Sequence, residues 1–574
     1  MTEFDLALLQ PLLTQLAPEG RTNLIPALWA AQEQYGYIPE IVAREIAFAL
    51  KVPLADVFGV IDFYALLYDR PVGEMLIHVC NDPVCAMAGA ETVRKKVSAE
   101  LSEDGRTYTI ERAPCLGLCE HAPSLLVQGI PAFKTSANSW RDLLSAEMQH
   151  PQESVYGELD FLTSNCRAGK PTDIAMYLIS GGYQGLQKAL EKSPREVIEE
   201  IKTSGLVGRG GAAFPTGIKW EATANASDKI RYVVCNGDEA EPSTFKDRIL
   251  MENDPHRIIE GLIIAGFAVG AQKGYFYVRG EYRYSYDVVE NALAEAERAG
   301  YLGNQILGSD YSFEIEMRRG VGAYICGEET ALFECIEGKR GLSRVKPPYP
   351  ATYGLFGKPT AINNVETLVN IPVILTMGAQ TYSQIGSEKA PGPKLFCVSG
   401  DVEKPGLYEV PMGITLRHLL VDLAGGVRGG KGLKAVLLGG AAGVFATKDH
   451  LDVPLTFHDL RAAGLALGSG VVTVFNDQRD MSEIMLLLTH FFADESCGKC
   501  YPCQLGTQRQ YEILGRVARD EVLEGDRERL RDLADTMRES SICGLGQTAG
   551  SAVLSGLAYW PELFLSSEER MEKS

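Results

Sequence analysis

The order of apolar and polar positions divides the chain into a helical start, two mixed stretches and a helical end. From Leu6 to about Tyr68 apolar residues recur at helical spacing, first through Leu24, Ala27, Leu28 and Ala31 and again around Ile41, Ile46 and Ala49. Pro39 and Pro53 stand near the expected helix starts. The apolar run Met75–Val79 then predicts a strand ending at Cys80. A helix over 88–101 and a strand over 108–111, running into Cys115, complete a strand–helix–strand unit of about 80 residues. Residues 151–171 are polar and irregular and read as a linker. A charged helix is expected over 187–203, leading into the glycine-rich segment 205–217, and an α/β stretch continues to about Gly378. From Lys394 to about Phe475 short apolar runs separated by Gly and Pro predict a small β-rich unit, and from Met481 onward the pattern is helical again. No internal repeat or low-complexity tract interrupts this order.

Length and composition refine that picture modestly. At 574 residues the chain exceeds one core, and roughly three or four domains are expected. No run of about 18 apolar residues occurs, so no membrane-spanning helix and no membrane partner are predicted. The acidic start Met1-Thr2-Glu3-Phe4-Asp5 lacks the basic opening of a signal peptide, and a cytoplasmic location is the expectation. A formal charge of −20 argues against nucleic acid as a partner, because phosphate backbones need a basic stripe. Any anionic ligand must then occupy a locally basic or amide-lined pocket.

Cysteine placement changes the picture more. Of 13 cysteines, eight fall into two sets, while Cys166, Cys235, Cys326, Cys335 and Cys397 are scattered and read as buried small hydrophobes. Clustered cysteines in a reducing compartment point to metal or redox chemistry rather than disulfides. Cys497, Cys500 and Cys503 form a C-x2-C-x2-C run with Cys543 as a remote fourth ligand. Three thiolates at this spacing wrap three irons of a cubane and the fourth closes it, whereas structural zinc usually takes two plus two. Cys80-x4-Cys85 and Cys115-x3-Cys119 are such a two-plus-two set, each pair in a loop after a predicted strand. A 2Fe–2S cluster, zinc and unligated thiols all remain open for it on spacing alone.

Two glycine segments match dinucleotide-binding expressions and neither is convincing. Gly208-x-Gly210-x-x-Ala213 follows an expected helix rather than a strand, and Pro215 and Gly217 oppose a helix directly after it. Gly439–Gly443 follows the run Ala435–Leu438 but lacks an acidic residue on a second strand. The first loop nevertheless offers unobstructed amides beside Arg209 and Lys219, suited to an anion. Asn236, Asp238, Glu239 and Glu241 follow the expected strand Tyr232–Val234, at the edge where α/β proteins bind ligands. Tyr324, Gly327, Glu328 and Glu329 precede a helical run. Asn363, Asn364 and Thr367 precede another, whose first-turn amides suit phosphate.

At these clusters the sequence resembles a known family. The segments Gly208–Trp220, Asn236–Asp247, Gly322–Thr330, Asn363–Thr367, Glu495–Cys497 and Ser541–Gly546 resemble the NADH-binding flavin subunit of respiratory complex I. Residues 1 to about 150 resemble that complex's thioredoxin-like 2Fe–2S subunit, here fused in front. The fusion, the run Cys80-Asn-Asp-Pro-Val-Cys85-Ala-Met and the segment Ser180–Tyr183 look like beta subunits of NAD-dependent molybdenum or tungsten formate dehydrogenases. Flavin subunits of NAD-reducing nickel–iron hydrogenases are similar too.

The resemblance implies a multidomain α/β protein: a helical bundle (1–72), a thioredoxin-like 2Fe–2S domain (73–150), a linker (151–185), an α/β domain for FMN and NAD(H) (186–390), a β-grasp insert (391–478) and a helical 4Fe–4S domain (479–574). It implies FMN held by Gly208, Gly210, Lys219, Asn236, Asp238, Tyr324, Gly327, Glu328, Asn363, Asn364 and Thr367. Phe214 and Tyr349 would flank the adenine of NAD(H), and Glu239, Glu241, Glu329 and Lys346 would contact or position that cofactor. Ala213 and Ala222 depart from the family's glycine and aromatic. The expected partner is a catalytic iron–sulfur subunit with a molybdenum or tungsten pterin, or hydrogenase subunits in the alternative, with a small additional subunit possible in either. No acid–base residue is expected to be catalytic, because hydride transfer belongs to the flavin.

Overall fold

The computed structural model describes residues 4–101, 107–133, 154–566, 568, 569 and 571. The end of the expected thioredoxin-like segment (134–150) and the start of the expected linker (151–153) lie outside these.

Helices Gln10–Leu16, Leu24–Tyr35, Glu40–Leu50 and Leu54–Ile61 form the N-terminal bundle, with Pro39 and Pro53 as N-caps of the last two. Leu24, Ala27, Leu28, Ala31 and Ile46 are fully buried, as their spacing predicts, but Ile41 points outward and is 50% exposed. It lies off the stripe made by Val42, Ala43, Ile46 and Ala47. The bundle seats on the central domain: the Trp29 indole donates to the Gly320 carbonyl at 3.2 Å and the Tyr64 hydroxyl to that of Lys339 at 2.9 Å.

The next sheet has the order β2-β1-β3-β4, from β1 (Met75–Cys80), β2 (Tyr108–Ala113), β3 (Ser124–Val127) and β4 (Ile130–Phe133). β1 and β2 run parallel, joined by a crossover that includes the helix Ala90–Leu101. The expected linker is structured where it is described. β5 (Val155–Gly157) adds an edge strand to the sheet of the β-rich unit, Leu162 and Cys166 are buried, and Tyr183 is buried against the central domain. Glu409 holds this strap, accepting from the amides of Leu162 (2.9 Å) and Thr163 (3.0 Å). The helix expected over 187–203 is two helices, Gln184–Leu190 and Pro194–Thr203. Pro194 cannot donate backward, and Ser193 with Glu196 forms a capping box that restarts the helix.

The central domain holds four parallel strands, β6 (Tyr232–Gly237), β7 (Lys273–Val278), β8 (Glu314–Arg319) and β9 (Thr360–Asn364), in the order β8-β7-β6-β9. The near-continuous burial of β6, β7 and β9 fits a sheet covered on both faces, while the edge strand β8 is polar and only partly buried. A small hairpin, β10 (Gly386–Ser387) with β11 (Ala390–Pro391), leads to the β-rich unit. There β12 (Pro393–Gly400), β13 (Gly406–Pro411), β14 (Leu433–Leu438), β15 (Val444–Ala446) and β16 (Val471–Asn476) join β5 in a six-stranded mixed sheet. The chain ends in helices Met481–Glu495, Tyr501–Ala518, Asp526–Ser540, Gly544–Thr548 and Ser551–Tyr559. Among the described residues no helix is long and apolar enough to cross a membrane.

Candidate functional site

Strand order locates the site. Connections run outward from β6 to β7 and β8 on one side, then return to β9 on the other, so the direction of winding reverses between β6 and β9. A crevice opens at the carboxyl ends of strands at such a reversal. Asn236 and Asn364 are register partners there, on β6 and β9. The Asn236 side chain donates to the Gly327 carbonyl (3.0 Å) and accepts from the Asp238 amide (3.0 Å), which ties the acidic segment to the loop before the helix Glu329–Ile336.

The glycine loop folds over the same crevice. The Arg209 amide donates to the Thr367 hydroxyl at 2.9 Å, and a Cβ on Gly210 would lie 3.1 Å from Asn364 Cβ. The loop leaves a helix, as expected, but Pro215 and Gly217 do not prevent a helix after it. The helix Thr216–Ala224 starts at once, with Pro215 as its N-cap, and Gly217 is there because the Lys202 side chain fills its Cβ position. Ala213 holds φ +54, a left-handed conformation that glycine adopts more easily.

Around the crevice, Lys219 donates to the Ile362 carbonyl at 2.8 Å, and burial lowers its pKa. Glu328 caps the helix Glu329–Ile336, and Lys346 bridges Glu328 (2.8 Å) and Glu329 (2.6 Å). Glu239 accepts from the amides of Asp247 (2.8 Å) and Arg248 (2.9 Å), yet burial keeps its pKa above the carboxylate range. Burial also pushes the Glu241 carboxyl up to about 7, although the Tyr324 hydroxyl and the Ala442 amide donate to it. The second glycine segment, no dinucleotide loop, thus serves to seat Glu241. Phe214 and Tyr349 are 50% and 61% exposed, leaving two rings open at the surface; Ala222 is exposed as well.

Among the buried side-chain atoms without a hydrogen-bond partner in the described residues, two belong to the strand ends at this crevice. The Asp238 Oδ2 and the Asn363 Nδ2 are shut off from solvent without a hydrogen bond. Such orphans are costly unless a ligand satisfies them. Unpaired polar groups at the carboxyl ends of β6 and β9, with the Gly210 backbone close to Asn364 at a helix N-terminus, fit the polar ring edge and phosphate of a flavin mononucleotide.

Both cysteine sets converge. Cys80 ends β1, Cys85 lies on the helix Pro83–Met87, and Cys115 and Cys119 bracket the turn after β2. The thiols of Cys115 and Cys119 are 3.3 Å apart, and the Cys115 sulfur accepts from the Gly117 amide at 3.4 Å. Cys500 and Cys543 are the N-caps of two helices, Cys503 lies one turn into the first, and its sulfur lies 3.3 Å from the Ser496 hydroxyl. A Cβ on Gly546 would come within 2.9 Å of Cys503 Cβ, so glycine lets the two arms close. Four sulfur donors per set suit iron–sulfur clusters. Tyr324 links the regions: its hydroxyl reaches Glu241, its amide donates to Glu495 at 2.9 Å, and its ring packs edge-on against Phe491 at 5.0 Å.

Comparison with known proteins decides the family. Residues 201–373 match the Nuo51 FMN-binding domain, 11–146 the thioredoxin-like [2Fe-2S] ferredoxin, 483–567 the NADH-ubiquinone oxidoreductase-F iron–sulfur binding region and 394–474 the SLBB domain. The alpha subunit of the NAD-reducing hydrogenase HoxS of Cupriavidus necator is 34% identical over 578 residues, covering 96% of this chain and 93% of its own. The chain belongs to the NuoF/HoxF diaphorase family. The matching subunit of the NADH-quinone oxidoreductase of Aquifex aeolicus is 46% identical over 411 residues, covering 71% of this chain and 95% of its own. A crystal structure of an NAD+-reducing [NiFe]-hydrogenase in the H2-reduced state superposes with TM-score 0.84 at 32% identity, covering 95% of this chain and 92% of that one. This diaphorase subunit is therefore an NAD(H) oxidoreductase component that binds FMN, one 2Fe–2S cluster and one 4Fe–4S cluster, and the zinc alternatives fall away.

Sequence reasoning missed the joint between the 2Fe–2S domain and the flavin domain. Arg279, just beyond β7, donates to the Cys115 carbonyl (2.9 Å) and to the Glu239 carbonyl (2.7 Å), and pairs with Glu281 at 2.8 Å. Arg248 donates to the Gly117 carbonyl at 2.8 Å, and Gly117 has no room for a Cβ beside the Tyr282 hydroxyl. The only available signal was position: an arginine at the carboxyl end of a parallel strand.

Proposed function

We propose that the chain is the diaphorase subunit of a formate dehydrogenase complex, exchanging electrons between NAD(H) and a partner that oxidises formate at a molybdenum or tungsten pterin. The diaphorase part is carried by one observation, the unpartnered Asp238 and Asn363 groups in the crevice between β6 and β9. Bound FMN supplies the conversion between the two-electron hydride of a nicotinamide and the one-electron chemistry of clusters. Gly208, Gly210, Asn364 and Thr367 form its phosphate cradle at the start of the helix Val365–Met377, and Asn236, Asp238, Gly327, Glu328, Tyr324, Lys219 and Asn363 line the rest. Phe214 and Tyr349 offer faces to adenine, and Glu239, Glu241, Glu329 and Lys346 orient the nicotinamide nucleotide. Cys80, Cys85, Cys115 and Cys119 hold the 2Fe–2S cluster; Cys497, Cys500, Cys503 and Cys543 hold the 4Fe–4S cluster.

The formate reading is supported by the likeness of Cys80–Met87 and Ser180–Tyr183 to formate dehydrogenase beta subunits. A second reading, the diaphorase of a nickel–iron hydrogenase, is favoured by the similarity to the HoxS alpha subunit along nearly the whole chain. Metal analysis of the complex that copurifies with this chain separates them. Molybdenum or tungsten is expected; nickel with neither metal would replace the formate reading by the hydrogenase one.

A further inference from the structure

Where the N-terminal bundle meets the central domain, one side chain fills a hole made by two glycines. Leu66 follows the helix Leu54–Ile61, and its side chain stands where Gly280 and Gly322 lack one. A Cβ on Gly280, just beyond β7, would lie 2.7 Å from the Leu66 Cδ1, and a Cβ on Gly322, just beyond β8, would lie 2.7 Å from its Cγ. Gly322 also holds φ +77, in the left-handed region that favours glycine. Backbone bonds fix the knob in its hole. The Leu66 amide donates to the Val321 carbonyl at 3.1 Å and the Ala65 amide to that of Gly322 at 3.2 Å. Gln32 Nε2 donates to the Leu66 carbonyl at 2.7 Å, so the helix Leu24–Tyr35 braces it from behind.

The segment that Leu66 presses on leads straight into the crevice. Tyr324 follows Gly322 closely, its hydroxyl meets Glu241, and its amide donates to Glu495 at 2.9 Å. Gly327 comes next in the same turn, and its carbonyl takes the Asn236 side chain at 3.0 Å. We propose that Leu66 is a positioning residue for the flavin crevice: it props residues 320–322 and thereby sets where Tyr324 and Gly327 stand toward FMN and NAD(H). The N-terminal unit then has a mechanical part in the NADH–flavin reaction besides holding a cluster. This inference rests on the assignment of the crevice to FMN.

Truncating Leu66 removes atoms that its two neighbours cannot replace. Gly280 and Gly322 have no side chains to move inward, and a close-packed interior relaxes only in part around such a gap. The displacement falls on the backbone of residues 320–322. Misplacing a group that positions a ligand by about 1 Å can cost about a hundredfold. A prop acts on the bound ground state and the transition state alike, so its loss raises binding constants and leaves the turnover number.

The test strips FMN from the purified full-length protein, titrates it back by flavin fluorescence, and then measures NADH–ferricyanide kinetics at saturating FMN. In Leu66→Ala the FMN Kd should rise about tenfold and the NADH KM about fivefold, with kcat within about twofold of the parent. Leu66→Met keeps the volume and should restore the parent values. Ile46→Ala supplies the contrast, because Ile46 is fully buried on the helix Glu40–Leu50, which packs on the other bundle helices. It should lower the urea midpoint at least as far as Leu66→Ala and leave the FMN Kd within about twofold. Should the alanine variant fold poorly, Leu66→Val is expected to shift both constants in the same direction by less. The proposal is overturned if the truncated variant binds FMN and NADH like the parent, or if only its kcat falls. It is equally overturned if Leu66→Met behaves like Leu66→Ala, or if Ile46→Ala weakens FMN as much. A parent that takes up no FMN would count against the flavin assignment instead.

Discussion

The two cysteine sets hold the same number of thiols in opposite surroundings. Cys80, Cys85 and Cys115 are 1% exposed and Cys119 is 5% exposed, sealed between their own sheet and the flavin domain. In the C-terminal set only Cys503 is buried, and Tyr501 and Leu505 beside it are 76% and 59% exposed. The difference teaches that ligand spacing sets what a site can bind, while docking between domains sets what it can exchange with. An enclosed set suits exchange within the chain, and a half-open set suits a partner. Solvent exposure also tunes the potential of an iron–sulfur centre, so the two sets should differ in chemistry as well as access.

The largest expected effect breaks the open side. Cys500→Ser removes one thiol from the half-exposed set without touching the crevice between β6 and β9. Electron exchange with the copurified partner should be abolished while FMN content stays at the parent level, measured by flavin fluorescence after denaturation and by partner-dependent reduction. Exchange at the parental rate would place the partner's entry elsewhere.

Next in size is the removal of the seal. Arg279→Met leaves the Glu281 carboxylate and the carbonyls of Cys115 and Glu239 without their cation, in a place that water does not reach. Breaking a buried pair in this way costs about 3–5 kcal/mol, to be read from urea unfolding. The comparison then predicts a change in order: in the parent, an iron chelator strips the C-terminal set first, and in Arg279→Met the 2Fe–2S signal should be lost at a similar rate. If the buried set stayed protected in a destabilised variant, its enclosure would come from its own sheet rather than from the joint.

Legibility followed the same divide. Ligand spacing is local, so both cysteine sets could be read from Cys80–Cys119 and Cys497–Cys543, and the strand ends at Asn236 and Asn364 could be placed from apolar runs and helix starts. The joint could not be read, because Arg279 and Cys115 are distant in sequence and meet only through domain docking. Local rules also misled where tertiary packing overrode them. Pro215 looked like a barrier to a helix and serves as its cap, while Gly217 looked like a helix breaker and admits the Lys202 stem. Ile41 looked like core and faces outward, and the polar strap at 154–171 looked like a linker although Glu409 and β13 hold it.

The smallest expected effect sharpens the comparison at Glu241, which stands between the two sets, near Cys115 on one side and bonded to Tyr324 on the other. Burial lifts its carboxyl to about 7, above the value it has in the unfolded chain. A carboxyl that holds its proton more tightly when folded contributes stability that is complete below the unfolded pKa and is lost as pH rises toward the folded one. Between about pH 6 and about pH 8 this group alone should therefore cost about 1.4 kcal/mol. Glu241→Gln keeps the shape and cannot ionise, so the variant's urea midpoint should fall less than the parent's over that range, and the two should converge at the acid end. Parallel pH profiles for parent and variant would mean that Glu241 is already ionised in the folded protein. Tyr324 would then donate to a carboxylate, and a fixed negative charge would lie between the enclosed and the open set.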